Sequence, residues 1–131
     1  MDYGPNPFVT NIDSDTLKND YYRSAVWTAG NLQVMLMSLP VGLRADLELH
    51  DTDHYINVVE GQGVIESGPN KENLDFRVRV SDGYAFMIPA NVWHRFYNIG
   101  STPIKFYIIY GPPQWPHGTV VETLEDEENA I

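Results

Sequence analysis

The chain is expected to be all-β, a sandwich or barrel of short strands. Three features of its 131 residues point there. Short apolar or alternating runs recur, each closed by Gly, Pro, Asn or Asp. Two tight-turn signals, Gly61-Gln62-Gly63 and Ser81-Asp82-Gly83, separate such runs. Helical patterning is almost absent.

Along the chain, the N-terminal run "PNPFVTNI" reads as a strand with a proline-marked edge. Such an edge needs a sheet to join, so two-fold association, a homodimer, is expected. Asp13-Ser14-Asp15-Thr16-Leu17-Lys18 is the one plausible helix start, capped by Asp or Ser and able to support little more than a turn. The strand candidates are "NLQVMLMSLP" (31–40), "VVEGQGVIE" (58–66), "FRVRV" (76–80), "YAFMIP" (84–89) and "PIKFYIIY" (103–110). In the last of these, the alternation of a pleated strand puts Ile104, Phe106, Ile108 and Tyr110 on one buried face and turns Lys105 to solvent. The acidic end, Glu122 to Ile131, reads as a solvated, frayed terminus. No repeat or linker divides the chain, so residues 1–131 are expected to form one domain, large enough to bury a core.

Composition narrows the function classes. A hydrophobic content of 43% is ordinary for a globular protein and argues against wholesale disorder. There is no cysteine, which removes disulfides, thiolate metal sites and cysteine nucleophiles together. Eighteen acids against eight bases give a formal charge of −10. Phosphate backbones and anionic lipid would repel such a chain, so neither nucleic acid nor membrane is an expected partner. The first residues carry no secretory signal pattern, and no apolar run approaches a bilayer's span, so a cytoplasmic setting is expected.

The residues richest in chemistry lie in "ELHDTDH", Glu48 to His54, which holds two of the chain's four histidines. A metal site, a surface pair and a helical His-x-x-x-His pair are the competing readings. Asp51-Thr52-Asp53 favours a turn over a helix, and the flanks Leu47, Leu49, Tyr55, Ile56, Val58 and Val59 are strand-like. The segment therefore reads as strand, short turn, strand. Glu48 and His50 share one face of the first strand, and His54 opens the second.

At this point the sequence resembles the cupin superfamily, on two separated motifs within Val41 to Tyr110. The first runs Gly42, five residues, Glu48-Leu49-His50, three residues, His54, six residues, Gly61. Its spacing is that of the first cupin motif, whose usual His, His and Glu positions are held here by Glu48, His50 and His54. The second, Gly83 to Asn98, matches at Gly83, Pro89, His94 and Asn98. Asn91 replaces the usual glycine, a mild change because Asn tolerates a left-handed backbone. The resemblance implies a small single-domain antiparallel jelly-roll β-barrel, open at one end, with inward side chains converging on one point.

It also implies one metal ion, held by Glu48, His50, His54 and His94. Three imidazoles and one carboxylate suit a divalent first-row ion such as Mn, Fe, Ni, Cu or Zn, and do not suit Mg or Ca. Glu48 is expected as fourth ligand or as a general base released from the ion. Two alternatives stay open: Glu48 as a rim carboxylate paired with Arg44 or Arg95, and His54 as a group that hydrogen-bonds a substrate. Tyr55, Phe96 and Tyr110 are expected to line the pocket, while Trp93 packs on the far side of its strand and His117 lies at the surface. The implied activity is that of a small metalloenzyme acting on a small polar metabolite, by oxygenase- or isomerase-type chemistry. The competing class is a non-catalytic module that captures a sugar or an acid and uses its metal structurally.

Overall fold

The computed structural model describes residues 1–45 and 47–128. Among them run α1 (Ile12–Lys18), β1 (Arg23–Thr28), β2 (Gln33–Leu39), β3 (Asp53–Glu60), β4 (Gln62–Gly68), β5 (Phe76–Ser81), β6 (Ala85–Ile88), β7 (Trp93–Asn98), β8 (Ile104–Gly111), β9 (Val120–Val121) and α2 (Leu124–Glu128). The strands pair antiparallel in two sheets, one ordered β6-β3-β8-β2-β1-β9 and the other β5-β4-β7. This is the jelly roll that the two motifs implied. Met35, Leu39, Ile56, Val58, Ile65, Phe96, Ile104 and Phe106 fill the core. No helix among the described residues is long and apolar enough to cross a membrane.

Alternation places the inward side chains. In β8, Ile104, Phe106, Ile108 and Tyr110 are all buried, as the pattern of that run requires. In β3 the buried positions are His54, Ile56 and Val58, which sends Tyr55 to the opposite face. Gly61 closes the β3–β4 turn at φ 116°, and a Cβ there would come within 2.9 Å of the Ile104 Cα, so only glycine fits. Asn91 takes the left-handed conformation, φ 64°, in the turn before β7. The sheet edges are short or charged: β6 has four residues, β9 two, and β5 carries exposed Arg77 and Arg79.

Four expectations are corrected. Residues 1–11 form no strand; Tyr3 stacks on Phe8 at 4.3 Å, and the Trp27 indole donates to the Asn6 carbonyl at 2.7 Å. The prolines of this segment suit irregular backbone better than a ladder, and the edge that motivated a homodimer is absent. Lys105 is buried, because α1 covers the outer face of β8. Its ammonium donates to the Asn19 carbonyl at 2.6 Å and to Asp20 at 3.0 Å. The helix cap is Asn11, which accepts from the Ser14 N–H, and α1 runs seven residues. Finally, the acidic end is folded as far as Glu128, with β9 paired to β1 and Glu127 salt-bridged to buried Arg23 at 2.8 Å; Asn129 to Ile131 lie outside the described residues.

Candidate metal centre

Two stretches bring the candidate ligands together. Arg44 and Glu48 each bridge to β7, opposite Tyr97 and His94, as single bridges and not as a regular strand. Glu48 and His94 exchange both backbone hydrogen bonds, at 2.9 and 3.0 Å, and the Asn91 N–H donates to the His50 carbonyl at 2.6 Å. This pairing sets Glu48, His50 and His94 side by side. His54 arrives from β3, opposite Tyr110 of β8 in register.

The side chains converge. Glu48 Oε2 lies 2.9 Å from His50 Nε2 and 3.9 Å from His94 Nε2. Glu48, His50 and His94 each offer a donor atom, and these atoms all lie within 4.8 Å of one another. The rings of His50, His54 and His94 form a triangle with centroids 5.2 to 5.6 Å apart. His94 Nδ1 donates to the Val92 carbonyl at 3.0 Å, which leaves Nε2 as the free lone pair facing Glu48.

His54 joins the triangle, yet its Nε2 is engaged elsewhere. It donates to the Gln114 carbonyl oxygen at 2.8 Å and lies 3.0 Å from the Thr52 hydroxyl. The Gln114 amide nitrogen in turn sits 3.0 Å from His50 Nδ1. One amide side chain thus stands between His50 and His54. Gln114 was not among the residues expected at the site, and its place in the turn-rich "GPPQWPHG" segment is the only hint the sequence carries. Of the two rim partners expected for Glu48, Arg95 pairs instead with Glu66 at 2.9 Å. His117 bonds the Gly4 carbonyl and Asp2, far from the cluster in role.

Burial tunes these groups. His54 is 6% exposed, and burial pulls its pKa down to about 4, with the Gln114 hydrogen bond opposing. Burial also lowers His94. For Glu48, burial pushes the carboxyl up, but the hydrogen bond and charge of His50, with Arg23 and His94, outweigh it and hold the group below its ordinary value. Burial thus favours the neutral rings of His54 and His94, while the surroundings of Glu48 favour its ionised carboxylate, the forms that metal ligation requires.

Glu48, His54 and His94 open on a cavity of about 50 Å³ between the sheets. Phe96 and Tyr110 line it; Tyr55 does not, because it faces away from His54 on β3. Tyr22 and Arg23 line it too, and neither stood out in the sequence.

The fold and this cluster define a small β-barrel domain of the cupin type carrying a Glu/His cluster that could hold a metal ion. Residues 35–110 match the family described as Cupin domain, and the chain belongs to that family. The chain is 44% identical over 126 residues to the uncharacterized protein YrkC of Bacillus subtilis (strain 168), covering 95% of this chain and 68% of that protein. It is 35% identical over 115 residues to the uncharacterized protein L612 of Acanthamoeba polyphaga mimivirus, covering 86% and 70%. Among solved structures, BH2720 from Bacillus halodurans superposes with a TM-score of 0.97 at 47% identity, over 98% of both chains. An RmlC-like cupin with a double-stranded β-helix fold from Methanocaldococcus jannaschii superposes at 0.60 over 72% of this chain and 85% of its own; at 16% identity it shows the fold alone.

Proposed function

We propose that this protein is a small metalloenzyme that acts on a compact polar metabolite at one divalent first-row ion, by oxygenase- or isomerase-type chemistry. The convergence of donor atoms from Glu48, His50 and His94 within 4.8 Å carries the reading. His54 is the fourth donor, available once Gln114 turns away. The donor set fits Mn, Fe, Ni, Cu or Zn. When bound, such an ion supplies Lewis-acid polarisation of a substrate oxygen and an open position for it.

The chain's own residues supply the rest. Val92 holds His94 in the tautomer that leaves Nε2 unprotonated. Glu48 Oε2 accepts a hydrogen bond from His50 Nε2, and, released from the ion, Glu48 would serve as the base that accepts a proton from a substrate carbon or hydroxyl. Phe96, Phe106 and Ile108 make the cavity wall apolar and exclude bulk water. A cavity of about 50 Å³ admits a ligand of a few heavy atoms, not a polymer.

The test is metal content after purification without an affinity tag, followed by turnover assays on the Fe-, Mn-, Ni- and Zn-loaded forms with small keto acids and hydroxy acids. His50→Ala and His94→Ala should lose the metal, and Glu48→Gln should weaken it. Full occupancy in the His50/His94 double variant would refute the centre. Metal binding with tight ligand capture and no turnover in any form would favour the binding module.

A further inference from the structure

The cavity holds a second set of polar groups that the metal ligands do not use. Arg23 opens β1 and is 3% exposed. Its Nε donates to Glu127 at 2.8 Å, one terminal nitrogen donates to the Tyr110 hydroxyl at 2.7 Å, and its guanidinium lies 4.2 Å over the Trp115 ring. Its other terminal nitrogen makes no hydrogen bond among the described residues. Beside it, Tyr22 is 2% exposed, lines the same cavity, and its hydroxyl has no hydrogen-bond partner there.

A buried hydroxyl without a partner is costly, and native proteins keep such groups chiefly where a ligand or water completes them. A guanidinium with a spare N–H edge next to it selects an acceptor with planar oxygens. We propose that Arg23 and Tyr22 form the recognition end of a subsite for a small monocarboxylate, seated in the barrel cavity between them and the Glu48/His50/His94 cluster. This rests on the metal-centre reading above.

Charge makes the two halves interdependent. Glu48 and Glu127 together outweigh Arg23 by one negative charge, so the metal-free cavity repels a carboxylate. A divalent ion turns the balance to one net positive charge, enough to hold one monoanion and disfavour a dianion. Arg95 also reaches the cavity wall, but its charge is committed to Glu66. Burial raises the Tyr22 phenol well above its ordinary range, so the hydroxyl remains a donor toward the anion at every working pH. The volume of about 50 Å³ suits a carboxylate the size of acetate.

The experiment titrates cobalt-loaded protein with acetate and with its neutral isostere acetamide, read by the cobalt absorption spectrum and by calorimetry. Acetate should bind and acetamide should not. Tyr22→Phe should weaken acetate about tenfold or more, the size of one hydrogen bond to a charged group, while leaving cobalt affinity unchanged. Arg23→Lys keeps the charge and loses the fork, and should weaken acetate similarly; Tyr22→Phe carries the test if that variant fails to fold. Cobalt uptake with equal acetate binding in wild type and Tyr22→Phe, or with acetamide bound as well as acetate, overturns the subsite and leaves the metal centre standing. Failure to take up cobalt removes both, since the subsite's charge balance depends on the ion.

Discussion

His54 should make the metal-free protein sensitive to mild acid. Its imidazole sits at about 4 in the fold against an ordinary value of 6.5, because burial disfavours the charged ring. As pH falls through 6.5 the unfolded chain takes up this proton and the folded chain does not. The unfolded state then holds more protons, so stability falls with pH until the folded group titrates at about 4. At 1.36 kcal/mol per pH unit the full effect is about 3 kcal/mol, of which about 2.5 kcal/mol is lost by roughly pH 4.5. Carboxylates such as Glu48 and Glu66 confuse the picture at lower pH, so the window stops there. The assay is urea unfolding of chelator-treated protein at about pH 7 and about pH 4.5, for wild type and His54→Gln. The variant keeps an amide N–H for the Gln114 carbonyl but has nothing to titrate. Wild type should lose about 2.5 kcal/mol more than the variant across the window. Equal losses in the two proteins would refute the argument and show that His54 is solvated enough to protonate in place.

Glu127→Ala should destabilise the fold by about 3 kcal/mol in chemical denaturation, because it strips the buried Arg23 of its counter-ion, while Glu125→Ala on the same helix changes stability little. Gln114 should decide how many ligands the ion has: with Gln114 present, His54→Ala should shift cobalt affinity less than about threefold, whereas in a Gln114→Ala background the same change should cost about tenfold. Calorimetric cobalt titrations of the four proteins check this, and equal effects of His54→Ala in both backgrounds would refute it.

Much of the fold was legible because strand periodicity reports which face is buried. Ile104, Phe106, Ile108 and Tyr110 alternate with that period and all lie inside. What covers the other face is a different matter. Lys105 obeys the alternation and points outward from the barrel, yet α1 lies over that side and the lysine ends up buried against Asn19 and Asp20. The N-terminal run failed for a related reason, since its β-prone Phe8 and Val9 sit among prolines that leave no ladder to extend. β1 escaped notice because "RSAVWT" begins with a buried arginine, the least strand-like of core residues.

The site divides along the same line, between what local spacing encodes and what distant segments supply. Glu48, His50 and His94 were legible because two motifs set their spacing and the bridge between Glu48 and His94 aligns them. Gln114 reaches His50 across 64 residues, and Glu127 reaches Arg23 across 104, with no periodicity to announce either. Both partners come from the chain beyond β8, so that segment acts on the cavity twice. On the proposed reading, Gln114 sets which imidazoles are free to ligate, and Glu127 sets the charge that Arg23 presents. A jelly roll closed by β8 alone would keep the three ligands and lose both controls. The donor cluster therefore belongs to the barrel, while the ligand count and anion balance proposed for it would belong to the segment that folds back over it.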